Sequence, residues 1–517
     1  MRGEGSSSNV DNGDLGCSQE RFFCVCWFIL FSRRIIMDTA CLDRRKFLKS
    51  ATAVTWMGLS ASPHARANEQ IKKPNIVFIM ADDLGYNHLG CYGQEKIRTP
   101  HLDRLAREGM RFTQCYAGAP VCAPSRSVLM TGIHGGRTSV RGNSGGLSLL
   151  PEDITMGEVL QKAGYKTGIF GKWGLGDAGT AGVPNKQGFD EFFGYLHQVH
   201  AHFYYPYYLW KNQEKYMLPG NEGGKRGQYT QDEICQQARQ FIRDHKENPF
   251  FLYLPFTVPH TELLVPEDSF KEYAGEFPEP NPYTGKHYAK QPKPRTAFAA
   301  MVTRMDREVG RIMALLKELR IDDNTIVFFT SDNGGQASGG PDLEFFQGND
   351  PLRGSKGRLY EGGIRVPGIA RWPGKIQANT QCDHAWAFDD VLPTLADLGG
   401  GEAPSDITGI SFLPALIGEK AAGKKQAKRE FFYWEMGANR WAVRMGDWKV
   451  VKNSKNSPLE LYNLKTDIGE TNNVANDHPT IVKKIKDFAE KTRTPPRTYR
   501  KEPPTWGWEP KRTGYVR

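Results

Sequence analysis

The chain has 517 residues, a formal net charge of +10, 39% hydrophobic residues and 24% charged residues. That balance is of a soluble globular protein with a substantial core, and it excludes a disordered or low-complexity chain. The basic excess suits an anionic partner such as nucleic acid, membrane headgroups or a sulfated glycan, but much of it lies in the C-terminal tail (Lys483, Lys484, Lys486, Arg497, Arg500, Lys501, Lys511, Arg512), where a solvated basic segment is the simpler reading.

From the N-terminus, the apolar run Phe22 to Phe31 has only ten residues, too short to span a bilayer. Asp43-Arg44-Arg45-Lys46-Phe47-Leu48-Lys49 is a twin-arginine pattern; a mildly apolar stretch from Ala51 to Ser62 and an A-x-A site at Ala65-Arg66-Ala67 follow it. Residues 1–67 therefore read as an N-terminal extension and removable bacterial export signal. Export by the twin-arginine machinery delivers the protein to the periplasm or the medium. Met37 would open a signal of ordinary proportions, so residues 1–36 read as an over-extended start of translation. Of nine cysteines, four precede the cleavage site, leaving Cys91, Cys115, Cys122, Cys235 and Cys382. An odd number in an exported chain marks one thiol with a separate fate, and the lack of a CxxC pair argues against zinc or redox chemistry.

In the mature chain, Asn75 to Ala81 reads as a buried strand ending in Asp82-Asp83. Cys122-Ala123-Pro124-Ser125-Arg126 has the form of a helix start, with proline suited to a first helical position and with free N–H groups and an arginine near a thiol. That segment alone leaves a buried structural cysteine and a reactive one equally open. Thr155 to Ala163 reads as a helix, and Thr167 to Phe170 as a strand ending in Gly171-Lys172-Trp173. His197 to Gly227 is aromatic and loop-like, either a packed loop or a sugar-stacking rim. Phe250 to Leu254 is a strand leading to Pro259-His260. Phe298, Met301, Met305, Val309, Ile312 and Leu316 mark an amphipathic helix before the strand Thr325 to Phe329, which ends in Ser331-Asp332-Asn333-Gly334-Gly335. After Gly399 the pattern shifts to alternating strands at Phe431 to Trp434, Trp441 to Val451 and Leu459 to Leu464, then a helix from Pro479 to Lys491.

Uninterrupted apolar strands alternating with helices predict an α/β fold with a large, doubly wound, mostly parallel sheet over residues 68–398. A smaller α+β domain with an antiparallel sheet is expected over 399–517. In such sheets ligands bind beyond the carboxyl ends of the strands, where Asp82, Asp83, Lys172, His260, Asp332 and Asn333 all fall. Asp82, Asp83, Asp332 and Asn333 form an all-oxygen set of the kind calcium or magnesium selects. Adjacent carboxylates repel unless a cation or proton lies between them. Lys356, in the glycine-rich stretch Arg353 to Pro367, pairs with Lys172 as a second group able to hold a tetrahedral anion, and His260 is a general acid or base by type.

Asp82-Asp83, Cys122-Ala123-Pro124-Ser125-Arg126 through Thr131-Gly132, Gly171-Lys172-Trp173, Pro259-His260, Asp332-Asn333-Gly334 and the Lys356 loop occur in this order. Together they resemble the type I, formylglycine-dependent sulfatases of the alkaline phosphatase-like superfamily. The resemblance implies that a formylglycine-generating or sulfatase-maturating enzyme oxidises Cys122 to formylglycine. The hydrate of that residue would bind one calcium ion with Asp82, Asp83, Asp332 and Asn333, attack sulfur and later release sulfate. Arg126 would hold the hydrate, Lys172 and Lys356 the sulfate oxygens, and His260 would move a proton. The implied substrate is a sulfate ester, of a sulfated glycan rather than nucleic acid. One departure stands out: many relatives read Gly-Lys-Trp-His-Leu-Gly where this chain has Gly171-Lys172-Trp173-Gly174-Leu175-Gly176. His200 or His202 is expected to supply the missing contact. The competing readings are a phosphate or phosphonate ester hydrolase of the same superfamily and a non-catalytic sulfated-glycan binding protein.

Overall fold

The computed structural model describes residues 73–143, 146–286, 288–437 and 439–497. The export signal, the upstream extension and the end of the basic tail lie outside these residues. Contacts divide the chain into residues 1–67 and residues 68–517, and the architecture below is that of the second unit.

The large sheet has eleven strands: β1 (Asn75–Ala81), β2 (Met110–Tyr116), β3 (Lys166–Lys172), β4 (Glu191–Tyr195), β5 (Tyr208–Lys211), β6 (Glu214–Met217), β7 (Phe250–Pro255), β8 (Thr325–Ser331), β9 (Arg365–Arg371), β10 (Thr380–Cys382) and β11 (Trp386–Ala387). Their order is β10-β2-β9-β8-β1-β7-β3-β4-β5-β6, with β11 also paired to β2. β8, β1, β7, β3 and β4 run parallel, whereas β9 is antiparallel to both β8 and β2. Every residue of β1 and β8 is buried, because helices cover both faces. Val77 and Ile79 enter one core cluster with Met301, Met305 and Val309 of helix Pro294–Glu318; Ile76, Phe78 and Met80 enter the other with Val128, Leu129 and Leu392. Successive side chains of one strand thus serve opposite layers.

β2 and β9 carry no uninterrupted apolar run, and sequence patterning does not find them. Pro367 lies inside β9, and the β2 register shifts between Phe112 and Cys115, opposite that proline. A residue without an N–H cannot complete the ladder, so an irregularity beside it is expected.

A separate four-stranded antiparallel sheet follows: β12 (Phe432–Glu435), β13 (Trp441–Met445), β14 (Trp448–Lys452) and β15 (Glu460–Asn463). Helix Pro479–Thr492 packs Ile485 and Ala489 on one face with Tyr433, Val443 and Val450. On the other face Phe432, Trp434 and Val451 share a cluster with Tyr116, Leu359 and Ile364 of the large sheet region. Trp434 Nε1 donates to Ala117 O at 2.8 Å, just before the Cys122 helix. The aromatic stretch expected to be loop-like contains the β5–β6 hairpin. Its Phe203, Tyr204, Tyr208 and Trp210 are buried, so packing and not an exposed rim accounts for most of its rings.

Candidate active site

The parallel strands deliver their carboxyl ends to one edge of the sheet. Asp82 and Asp83 follow β1, Lys172 is the last residue of β3, His260 follows β7, and Asp332 and Asn333 follow β8. Cys122 is the first residue of helix Cys122–Thr131. Pro124 is therefore the third helical residue, not the first as the sequence suggests; it still lies in the first turn, where its missing N–H leaves no intrahelical bond unmade. Val121 cannot cap this helix, and Asn143 Oδ1 accepts from Ala123 N at 2.9 Å instead. Gly334 packs so tightly against the segment after the Lys356 loop that a Cβ there would lie 1.9 Å from Gly362 O. Gly357 N donates to Pro120 O at 2.8 Å, which ties that loop to the segment preceding Cys122.

The predicted residues converge. Cys122 Sγ lies 3.4 Å from Asp82 Oδ1 and 3.8 Å from Asp83 Oδ1. Lys172 Nζ donates to Asp82 Oδ2 at 2.6 Å, and Lys356 Nζ to Asp83 Oδ2 at 2.7 Å and Gln336 Oε1 at 3.1 Å. Arg126 donates through Nη2 and Nε to Asp332 Oδ2 at 2.7 and 3.1 Å, and through Nη1 to Lys172 O at 2.7 Å. Asp332 Oδ1 accepts from Asp83 N at 3.1 Å, and Asn333 Nδ2 donates to Asp83 Oδ1 at 2.8 Å. Asp83 adopts φ +66°, a left-handed backbone that a non-glycine residue holds only under tertiary constraint. Three buried carboxylates thus face three protein cations.

His260 Nε2 lies 3.4 Å from Asp83 Oδ2, and its Nδ1 donates to Thr261 O. Burial, then Lys356, His202 and Lys172, hold its pKa well below the ordinary imidazole value, so the ring is neutral. In that tautomer Nε2 is an acceptor facing a carboxylate oxygen, an arrangement relieved by a cation or proton between them. Tyr204 Oη lies 2.6 Å from His260 O and 2.7 Å from Thr257 O, so the buried aromatic stretch pins the histidine turn. His202 stacks on His260 with ring centroids 4.0 Å apart, and Tyr288 Oη lies 3.5 Å from His202 Nδ1. His200 instead packs between the rings of Tyr195 and Tyr208. Sequence reasoning missed Asn143, Gln336 and Tyr288, each on a loop with no periodic signal.

Burial, then Asp332 and Asp82, push the Cys122 thiol well above its ordinary pKa, so it is not ionised. A thiol attacks as thiolate, and this one is the wrong species to act unmodified. None of the five described cysteines forms a disulfide, so their odd number does not by itself distinguish Cys122; its surroundings do. The residues present fit a hard divalent cation. Asn333 Oδ1 is buried without a hydrogen-bond partner, and Asp82, Asp83, Cys122 and His260 offer ligand atoms all within 4.8 Å of one another.

The pattern of the Sulfatase family matches residues 74–401, and that of the N-sulphoglucosamine sulphohydrolase C-terminal family matches residues 355–494. The chain belongs to the sulfatase family. This sulfatase is 31% identical over 504 residues to an N-acetylgalactosamine-6-O-sulfatase of Bacteroides thetaiotaomicron, a match covering 82% of this chain and 94% of that relative. It is also 31% identical over 433 residues to the steryl-sulfatase of Rattus norvegicus, covering 67% of this chain and 70% of the relative. The crystal structure of Ps i-CgsB in complex with k-i-k-neocarrahexaose is similar at a TM-score of 0.69 and 29% identity, over 85% of this chain and 96% of that one. Sulfate ester hydrolysis is therefore the family activity, carried on the fold described above.

Proposed function

We propose that this sulfatase removes sulfate from a sulfated carbohydrate outside the cytoplasm, with Cys122 converted to formylglycine and one calcium ion held by residue 122, Asp82, Asp83, Asp332 and Asn333. The observation that carries the reading is the Cys122 side chain: a buried, un-ionised thiol set against two carboxylates, where Lys172 and Lys356 converge. Formylglycine supplies an oxygen nucleophile in place of that thiol, and calcium supplies positive charge beside it. The protein's own three carboxylates and three cations sum to zero, so a divalent cation leaves a net positive site for an anionic sulfate ester.

Arg126 fixes Asp332 and the end of β3 through Lys172 O. Lys172 and Lys356, each already oriented by a carboxylate, bind the sulfate oxygens and oppose the charge that develops on them. Burial works against the charge of Lys356, but the Asp83 and Asp82 carboxylates outweigh it and keep the ammonium protonated. Neutral His260 exchanges a proton at Nε2 while Thr261 O holds Nδ1. In this reading residues 68–398 form the catalytic domain and 399–517 a smaller one, whose strand β12 braces the site through Trp434 and Ala117. A carbohydrate substrate is favoured by the N-acetylgalactosamine-6-O-sulfatase of Bacteroides and by the k-i-k-neocarrahexaose held by the similar structure. The twin-arginine pattern read from the sequence supports export to the periplasm or medium, and cytosolic oxidation of Cys122 before folded export fits that route. Among the described residues no helix is long and apolar enough to cross a membrane.

The test is a mass spectrum of the Cys122 peptide from a host carrying a sulfatase-maturating enzyme, with turnover of paired sulfate and phosphate esters. The aldehyde mass and a preference for sulfate are expected. Full turnover with an intact thiol would refute the nucleophile, and faster phosphate ester hydrolysis would refute the substrate class.

A further inference from the structure

Gly174 lies two residues beyond Lys172, at φ +77°, and presents no side chain. The space beside it is taken by Gln198: a Cβ built on Gly174 would fall 2.5 Å from Gln198 Oε1. Gln198 is 2% exposed, yet neither its Oε1 nor its Nε2 has a hydrogen-bond partner. Its position follows from the sheet. β4 pairs with β3 through Tyr195 opposite Lys172, and the pairing continues as Trp173 N to Tyr195 O (2.9 Å) and Gly174 N to Leu196 O (3.1 Å). The same segment then runs on to His202, stacked on His260. Gln198 therefore lies on a stretch bracketed by one lysine and one histidine of the site.

A primary amide that is desolvated at both ends and bonded at neither is retained against its own cost, and such groups in native structures call for an explanation. A partner for this one must both donate and accept. Sulfate oxygens only accept, so they would satisfy Nε2 and leave Oε1 facing an anion. A hydroxyl satisfies both, since Oε1 accepts its proton while Nε2 donates to its oxygen. We propose that Gln198 is a specificity residue of this sulfatase, whose amide, packed beside Gly174, binds a hydroxyl of the sugar that carries the scissile sulfate. The inference rests on the carbohydrate reading above. A Cβ at 174 would press on the amide oxygen, and the left-handed φ of +77° itself favours glycine there.

The test uses calcium-loaded, aldehyde-bearing full-length enzyme and the variants Gln198→Met, which keeps the volume without donor or acceptor, and Gln198→Glu, which removes the donor. Two kinds of probe are compared: 4-methylumbelliferyl sulfate, which has no hydroxyl, and the best substrate among galactose, N-acetylgalactosamine and glucosamine sulfates. In both variants the ratio of kcat/KM for the sugar sulfate to that for the aryl sulfate should fall threefold or more, on the order of tenfold for one lost hydroxyl contact. Without substrate, the Tm of Gln198→Met should equal or exceed that of the wild type, because an unpaired buried amide has been removed. A ratio within threefold of wild type, or a lower Tm in Gln198→Met, overturns the inference, since a structural glutamine would lose stability and leave the ratio alone. Wild-type turnover of aryl sulfate but of no sugar sulfate would instead remove the carbohydrate reading, and this inference with it.

Discussion

Replacing Lys172 with methionine keeps the aliphatic stem and deletes the charge that faces Asp82. The two are fully buried, with Nζ 2.6 Å from Oδ2. At an effective dielectric near 20, unit charges at that separation attract by about 6 kcal/mol. Desolvation offsets much of this, but removing one partner of a buried pair strands the other and costs about 3–5 kcal/mol. An unfolding entropy of roughly 2.1 cal/mol/K per residue over about 420 described residues makes each kelvin worth about 0.9 kcal/mol. The variant should therefore melt about 3–6 °C below wild type in chelator. The carboxylate left unneutralised now favours a divalent cation, so calcium should raise the variant's Tm by more than it raises that of the wild type. Calorimetry at one scan rate, in EDTA and in saturating calcium, measures both quantities. Equal calcium shifts in the two proteins, or an unchanged Tm in EDTA, would refute the electrostatic account of the site.

Trp434→Ala removes a 1%-exposed ring and the bond to Ala117 O, so a loss of about 3–5 kcal/mol is expected, read as a Tm drop. His202→Ala should lower turnover more than stability because the ring stacks on His260, while His200→Ala should lower Tm because that ring is packed between tyrosines; steady-state rates and melting curves separate the two. Lys449 Nζ lies 2.8 Å from Glu361 Oε1 and 2.9 Å from Glu470 Oε1, and Tyr116 Oη also donates to Glu361 at 2.6 Å, so Glu361 keeps the charge and Glu470 takes the proton. Burial is the main cause that raises the Glu470 carboxyl from 4.5 to about 7, with Glu361 adding to it against Lys449. Between those values the folded state binds the extra proton, so this group's contribution to stability is lost as pH rises, by on the order of 1.4 kcal/mol per unit. Glu470→Gln should flatten that part of the profile, and urea unfolding across the interval checks it.

The strands that build the site were legible because a parallel sheet covered on both faces demands unbroken apolar runs. β1, β3, β7 and β8 were all located from that pattern, with the chemistry-bearing residues at their ends. β2 and β9 were not, because a proline and an interrupted pattern hide strands whose pairing is decided by neighbours far away in sequence. The aromatic stretch after His197 shows the same limit. Its composition fits a packed loop, the commoner case, or an exposed rim, and only contacts such as those of Tyr204 with the His260 turn decide between them.

By itself, then, the sequence determined the fold class, the family motifs and the residue types able to hold a divalent cation and a sulfate, since each is written in local pattern or spacing. Tertiary structure alone decided which cation neutralises which acid: Lys172 with Asp82, Lys356 with Asp83 and Arg126 with Asp332. It also placed His202 on His260 and left the Gln198 amide unpaired beside Gly174. The physical reason is range. Periodicity reports which face of an element is apolar, whereas a charge or an amide takes its state from atoms far along the chain, 273 positions for Lys356 and Asp83, and those meet only after the sheet has formed.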